Sequence, residues 1–576
     1  MLRTNTCGEL TKKDSGNKVE LCGWVDSIRE HGGIAFINLR DRYGMTQVVF
    51  DDPNVIKDIK IEAVVKIEGK VQDRPEGIVN KNITTGEIEV LCKKIEILNN
   101  CEVLPLDMSG KIESTEETRL KYRYLDLRKN MENMVLRHKA TMALHDFMDK
   151  NGFLFVETPL LIRATPEGAR DFVVPSRLHP GSIYSLPQSP QLYKQISMVA
   201  GFDKYYQLAK CLRDEDLRAD RQPEFTQIDI EMSFVEQEDV IKISEELVKH
   251  IFGKCGREVK PPFPKMTYQE AMDKYGIDRP DLRFGLELAD VTALAHGTDF
   301  NVFKSAQMIK TLVIEEEYSR KQIDKLTELV KVYKAKGLAY MKYDPESEMK
   351  FDGGISKFID DKTKEEFVKT LSLKNKSTVF FVADKPVIVN DALAHLRLHL
   401  GKELELYNPE EYNFVWVTDF PLFEFDEEAN RWSPMHHIFS MPKEELIPLL
   451  ETNPGLVTGY LYDLTLNGTE IGGGSIRIHR RDIQEAVLKV IGMDYKQAEE
   501  RFGFLLESFK YGAPPHGGLA FGFDRMVAMI AGTTDIREVM AYPKNKQMEC
   551  PMDGCPSPCD PQAAEELHVK FVKSEK

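Results

Sequence analysis

No apolar run in the 576 residues approaches the roughly 18 that a membrane-spanning helix needs, so no contact with a membrane is expected. The opening MLRTNTCGELTKKDSGNK has no apolar core of the signal-peptide kind, and a cytoplasmic protein is expected. Cysteine is sparse, scattered and odd in number at nine, which argues for reduced thiols and against a disulfide framework. Three of the nine, Cys550, Cys555 and Cys559, do cluster in CPMDGCPSPC. The C-x-x-C spacing is absent and no fourth ligand is obvious, so a Pro-rich surface tail is expected there and no structural zinc. There is no G-x-x-x-x-G-K-[ST] loop, which leaves a P-loop nucleotidase unsupported. Surplus positive charge is lacking too. A net charge of −16 argues against indiscriminate coating of nucleic acid, yet leaves room for local basic loops that grip one specifically.

What is present is an ordinary globular composition, 42% apolar and 30% charged, on a chain too long for one core. Up to about residue 105 the chain reads as short strands: VELCGWVDSIRE, GIAFINLRDRYGMTQVVF, AVVKIEGKVQDR and GEIEVLCKKIEIL. Strands at this spacing predict a small barrel, and an exposed aromatic strand fits an OB-fold, a frequent binder of single-stranded nucleic acid. RLKYRYLDLR, Arg119 to Arg128, begins a linking helical segment. Met131 to Lys150 repeats at helical spacing and Gly152 ends it. FLFVETPLLI then reads as a strand interrupted by Pro159, which belongs at an edge or bulge.

The most informative stretch is Cys211 to Glu231, CLRDEDLRADRQPEFTQIDIE. Gln227, Asp229 and Glu231 alternate with Ile228, Ile230 and Met232, a strand with one polar face. Two antiparallel strands joined by a loop carrying Arg213, Arg218 and Arg221 would make a platform for a polyanion, the plain alternative being a solvated hairpin. A second hairpin is signalled by Asn467-Gly468 in YLYDLTLNGTEIGGGSIRIH. Closing it places Glu470 opposite Thr465 with Asp463 the diagonal neighbour, and two converging carboxylates call for a cation, Mg²⁺ being the candidate. The alternative is a solvent-screened pair on an exposed hairpin. Gly472, Gly473 and Gly474 mark either a close backbone approach or a bulge. GLAFGFDR, Gly518 to Arg525, precedes an apolar helix, so Arg525 would sit near its N-terminus; a tight turn capped by Asp524 explains the string equally well. Gln191 and Lys194 in PQSPQLYKQ, Arg477, and His436 and His437 would gather into a cationic pocket suited to a side-chain carboxylate, with Asp229 and Gln227 on an α-ammonium.

Taken in order, these strings resemble the class II aminoacyl-tRNA synthetases, in the form typical of bacterial-type aspartyl enzymes (subclass IIb). CLRDEDLRADRQPEFTQIDIE resembles their motif 2, GLAFGFDR their motif 3, and the segment with Pro159 their motif 1, whose proline lies at a homodimer interface. The class I signature HxGH is absent. The resemblance implies a multidomain α/β protein: an N-terminal OB-fold β-barrel and an antiparallel-sheet catalytic domain carrying an inserted α+β domain. The boundaries implied are 1–105 for the anticodon-binding barrel, 106–130 for the linker, 131–280 and 409–555 for the catalytic domain, 281–408 for the insertion, and 556–576 for a C-terminal extension.

It also implies roles. Arg213 would bridge the substrate carboxylate and the α-phosphate, with Asp214, Glu215 and Gln222 on ATP, and Gly522, Phe523, Asp524 and Arg525 at the triphosphate. Glu470 and Asp463 would hold Mg²⁺. Lys194 and Arg477 would grip the aspartate side chain, His436 would close over it beside His437 and Gln191, and Glu167 on a mobile loop would reach the α-ammonium. In the barrel, Arg29, Phe36 and Gln47 would meet the anticodon, Phe36 by stacking; without the resemblance Phe36 reads as core. His31, with Asn82 less decisive, bears on whether tRNA(Asn) is charged as well as tRNA(Asp), in which case an amidotransferase acts downstream. The implied reaction is two-step, L-aspartate and ATP to aspartyl-adenylate, then transfer to the 3′-terminal adenosine. Asparaginyl- and lysyl-tRNA synthetases are the rivals nearest in plan, and a non-catalytic tRNA-binding paralogue is the rival of another class.

Overall fold

The computed structural model describes every residue except 76, 165–167, 217–220 and 573–576, together with all side chains of the rest save that of Tyr495. Glu167 and Arg218 therefore lie outside the described residues. The chain folds into two compact units, Met1–Met134 with Ala541–Ser557, and Val135–Met540 with Pro558–Lys576.

In the first unit, β1 (Lys18–His31), β2 (Ile34–Asp41), β3 (Gly44–Phe50), β4 (Val64–Asp73) and β5 (Ile88–Asn99) close into a barrel in the order β1-β2-β3-β5-β4. The strands alternate as a barrel requires. Val19, Leu21, Ala35, Ile37, Leu39, Val65 and Ile67 point inward and are buried. Phe36, between Ala35 and Ile37, therefore faces out, and it is only partly buried. Two short helices, Glu116–Lys121 and Arg123–Lys129, follow the barrel. Asp126, buried between them, accepts from Arg119 at 2.9 Å and from Arg123. Arg123 Nε also donates to the Ala541 carbonyl at 3.0 Å, which ties the segment Ala541–Ser557 into this unit. No sequence pattern signalled that return: the chain to 555 was expected to stay with the catalytic sheet.

The second unit is built on an eight-stranded sheet. Its order is Lys265–Thr267, Phe414–Thr418, Leu461–Leu466, Thr469–Ile476, His516–Gly522, Glu224–Ser233, Lys204–Leu212, Leu154–Phe155. Only the two edge strands pair in parallel. One face is apolar, with Ile228, Ile230, Leu464, Leu519 and Phe521 packed under the helices Met131–Lys150, Gln237–Lys254 and Phe523–Ile530. The opposite face carries Asp229, Glu231 and Arg477. The strand expected over FLFVETPLLI shrinks to Leu154–Phe155 at the edge of the sheet, with Pro159 beyond its end. Between this sheet's strands the chain makes a separate antiparallel sheet, Ala289–Asp290, Met308–Ile314, Ser377–Asp384, Ala339–Tyr343, Phe351–Asp352, with an apolar cluster on each face. Buried Arg397 gathers the carbonyls of Asp281, Phe284, Gly285 and Leu286 at 2.8 to 3.0 Å where the chain enters it.

Candidate functional site

The polar face of the large sheet opens into a cleft of about 270 Å³ whose walls include Arg213, Gln222, Gln227, Glu470, Gly522 and Arg525. Three motifs distant in sequence meet there because their strands are neighbours: Gln227 pairs with Gly522, and Gly472 pairs with Phe521. Arg213 follows the strand Lys204–Leu212, its guanidinium 5.1 Å from the centre of the Phe225 ring and its Nε donating to the Gln188 carbonyl at 3.4 Å. Arg525 stands in the first turn of Phe523–Ile530, with Nη1 donating to the Glu470 carbonyl at 2.6 Å. Two arginines thus flank one cleft, and a helix N-terminus adds its own preference for anions.

Not every expected ATP contact is placed to make one. Phe523 is fully buried in the apolar core, under the Arg137 guanidinium at 4.8 Å, so its side chain faces away from the cleft. Asp524 lines the cleft, but its carboxylate accepts from Arg137 at 2.5 Å and from the Thr226 amide at 2.6 Å. It ties the helix to the neighbouring hairpin. Asp214 lies outside the cleft wall, its backbone bridged to Arg170 and its carboxylate 3.6 Å from the Arg170 guanidinium. Glu215 does line the cleft, and Arg221 holds it at 3.2 Å.

Asp463 and Glu470 converge as the hairpin register requires. Thr465 pairs with Glu470, Asn467 and Gly468 take positive φ of 50° and 78°, and a bulge follows Leu464. Gly473 lies directly beneath the pair. A Cβ there would stand 2.3 Å from Asp463 Oδ1 and 3.6 Å from Glu470 Oε1, so only glycine lets both carboxylates approach. Asp463 is buried, and among the described residues its Oδ1 has no hydrogen-bond partner. Burial, and then Glu470 and Asp278, push its carboxyl well above the usual carboxylate range. An orphaned oxygen beside a second carboxylate fits a hard divalent cation.

The expected pocket cations are present, but their surroundings differ from the expectation. Lys194 and Arg477 are both 1% exposed. Lys194 Nζ lies 2.8 Å from Asp229 and 3.5 Å from Glu231, while Arg477 Nε donates to Glu231 at 3.0 Å. Two cations face two carboxylates, so the pocket is charge-balanced and not cationic. The reason is desolvation: buried charges of one sign are tolerated only with partners. Asp229 is therefore engaged with Lys194. Burial acts to raise the Glu231 carboxyl, but Arg477 and Lys194 overcome it and hold the group below its ordinary value. Gly518 makes room for this carboxylate, since a Cβ there would fall 2.1 Å from Glu231 Oε2.

The two histidines divide. His437 Nε2 accepts from Arg477 Nη1 at 2.6 Å, and burial, reinforced by Arg477, keeps the imidazole neutral by holding its pKa well below the usual histidine value. His436 instead stands with the carboxylate pair, its Nε2 3.8 Å from Asp463. Gln191 begins the helix Gln191–Val199, one turn before Lys194, and among the described residues its buried Nε2 has no partner. Glu231 and buried His516, which approaches Gln195 at 3.2 Å, belong to this network and were not singled out from sequence. The alternation Gln227-Asp229-Glu231 held the signal for the first; nothing signalled the second.

On the barrel, Arg29 pairs with Phe36 and Asn38 with Gln47 across β1-β2-β3. Arg29 Nη2 donates to Gln47 Oε1 at 3.2 Å, and Glu89 accepts from Gln47 and Gln72 at 2.9 and 2.8 Å. An outward aromatic thus sits among aimed polar groups. Glu89 was missed in sequence. His31 is exposed at the β1–β2 turn and Asn82 is exposed in the connection between β4 and β5.

A barrel for nucleic acid and an antiparallel sheet with flanking arginines define an aminoacyl-tRNA synthetase of class II, a ligase. The family described as tRNA synthetases class II (D, K and N) matches residues 115–546, and the OB-fold nucleic acid binding domain matches residues 19–98. The chain belongs to this family, whose substrates are an amino acid, ATP and tRNA. It is 50% identical over 586 residues to a Treponema denticola protein named Aspartate--tRNA(Asp/Asn) ligase, with 99% of each chain covered. A Desulfatibacillum aliphaticivorans protein of the same name is 48% identical, covering 100% of this chain and 98% of its own. Among solved structures, asparaginyl-tRNA synthetase from Pyrococcus horikoshii complexed with asparaginyl-adenylate is similar in fold, with a TM-score of 0.59 at 20% identity over 94% of this chain and 98% of that one.

Proposed function

We propose that the protein activates L-aspartate with ATP and transfers it to the 3′-terminal adenosine of tRNA(Asp) and of tRNA(Asn). The observation that carries the amino-acid assignment is the pair Lys194 and Arg477, both buried beside the cleft and joined through Glu231. A side-chain carboxylate can take hydrogen bonds from both, whereas the ammonium of lysine would set a third buried cation beside them. The names of the relatives support the same amino acid and both tRNAs.

The α-carboxylate is already a nucleophile, so activation needs position and neutralised charge rather than a strong base. Arg213 bridges that carboxylate and the α-phosphate; Arg525 takes the terminal phosphate of the triphosphate. The carboxylate attacks the α-phosphorus and pyrophosphate leaves. Asp463 and Glu470 are the residues that would hold Mg²⁺, which when bound supplies further neutralisation of the phosphates. The 3′-hydroxyl of the tRNA then attacks the aspartyl carbonyl, and AMP leaves. Phe36, Arg29 and Gln47 read the anticodon by stacking and base-edge hydrogen bonds. Among the described residues no helix is long and apolar enough to cross a membrane, which accords with a cytoplasmic enzyme. Leu154, Phe155, Leu160 and Leu161, about half exposed around Pro159, supply an apolar face for a homodimer. Aspartyl-tRNA(Asn) is useless for translation until amidated, so charging of tRNA(Asn) requires a partner amidotransferase.

Aspartate charging of tRNA(Asp) and tRNA(Asn) transcripts in parallel tests this. Both are expected to be charged. Charging of tRNA(Asp) alone removes tRNA(Asn) and the amidotransferase from the reading. Absence of charging, together with no aspartate-dependent ATP–pyrophosphate exchange, overturns it.

A further inference from the structure

A second convergence of ligand atoms lies away from the cleft, in the barrel-containing unit. Among the described residues, Cys550, Asp553 and Cys555 bring two thiols and a carboxylate within 4.8 Å of one another. The sequence had offered three cysteines without C-x-x-C spacing. The structure selects two of them, at C-x₄-C, a spacing inside the range of structural zinc sites, and adds an aspartate that composition could not single out.

The turn that presents these atoms is already fixed. The Cys550 amide donates to the Cys555 carbonyl, and the Gly554 amide to the Cys550 carbonyl, both at 2.8 Å. The Cys555 amide donates to Asp553 Oδ1 at 2.9 Å. Gly554 has φ of 79°, a conformation that glycine adopts without strain. An Asp553 carboxylate oxygen lies within 4.8 Å of both thiol sulfurs. Cys550 is buried, Cys555 half-buried and Asp553 exposed, so the cluster has a closed side and an open side. The adjoining recess carries Glu116, Glu117 and Glu549 on its wall, three further carboxylates that favour a cation over an anion.

We propose that this turn binds one soft divalent cation of the zinc class through the Cys550 and Cys555 thiolates and the Asp553 carboxylate, with water in the fourth position. Binding expels two protons, one from each thiol, and changes no oxidation state. Three anionic ligands around a dication leave a site of net charge −1, and the exposed side accommodates the water. The ion fastens the segment Ala541–Ser557 as a folded turn beside the helix Glu116–Lys121, a structural function independent of the aminoacylation reading.

The test uses the full-length protein, purified reduced and without chelator, loaded with Zn²⁺ and freed of excess ion. Elemental analysis is expected to find about one equivalent per chain. Titration with Co²⁺ is expected to give a thiolate-to-metal charge-transfer band. Cys550→Ser and Cys555→Ser remove that band, Asp553→Asn weakens Co²⁺ binding by about tenfold or more, and the control Cys101→Ser keeps both band and stoichiometry. Circular dichroism establishes that each variant is folded, and Asp553→Asn, at an exposed side chain, keeps the test available if a cysteine variant is not. A stoichiometry unchanged in the cysteine variants, no retained ion in the parent, or a Cys550–Cys555 disulfide in the reduced preparation overturns the proposal.

Discussion

Lys194, Asp229, Glu231 and Arg477 form a buried quartet whose energetics differ from those of a surface salt bridge. An exposed pair contributes roughly 0–1 kcal/mol, whereas removing one member of a buried pair leaves an uncompensated charge. Arg477→Met is therefore expected to destabilise the fold by about 3–5 kcal/mol, read from denaturant midpoints, and to abolish aspartate-dependent exchange. A loss below about 1 kcal/mol would show the quartet to be better solvated than its burial implies. Asp463 makes the complementary prediction. Its carboxyl is held above the ordinary range, so the stability it confers is present at low pH and is lost as pH rises through the raised value. In metal-free protein, Asp463→Asn should gain stability relative to the parent as pH rises above the ordinary carboxylate range, as followed by thermal melts. With Mg²⁺ and ATP the parent should be stabilised and the variant should not. A relative stability independent of pH would mean that Asp463 ionises normally.

At the scale of elements, the site depends on pairing more than on individual motifs. Each motif hairpin is legible by itself, but the strand His516–Gly522, lying between Glu224–Ser233 and Thr469–Ile476, is what makes one cleft of three segments. Glycines serve that assembly: Gly473 admits two carboxylates and Gly518 admits Glu231. In the barrel, strand alternation turns Phe36 outward, because its neighbours Ala35 and Ile37 already fill the interior. Truncating an aromatic that stacks on a base costs about 1–3 kcal/mol, so Phe36→Ala should lower kcat/KM for tRNA roughly ten- to hundredfold. ATP–pyrophosphate exchange and the melting temperature should hardly change. A large fall in melting temperature would return Phe36 to the core.

For the whole molecule, the net charge of −16 and the positioned arginines are compatible because the binding charges are local. The apolar residues around Pro159 belong to this scale too, since isolated exposed leucines need no explanation and a cluster does. Sedimentation of the parent at micromolar concentration should show a dimer. Leu161→Glu, which sets a charge on an exposed position in that face, should shift it toward monomer and reduce charging about tenfold or more. A dimer undisturbed by the charge would place the interface elsewhere.

The barrel, the helix Met131–Lys150, the two hairpins and the order of the motifs were determined by the sequence alone, because local periodicity and turn chemistry act over a few residues. The cation pair Lys194 and Arg477 was legible in the same way, as residue types within strings. Tertiary structure decided what those residues meet. It showed Asp229 and Glu231 neutralising the pair, Phe523 turned into the core, Asp524 committed to Arg137 and Thr226, and the strand before Pro159 only two residues long. It also placed Ala541–Ser557 with the barrel rather than with the catalytic sheet. Arg477 and Glu231 are 246 residues apart, and Asp524 lies 387 and 298 residues from its partners Arg137 and Thr226. Desolvation and packing decide such pairings only once the chain is closed, and no local pattern encodes that closure.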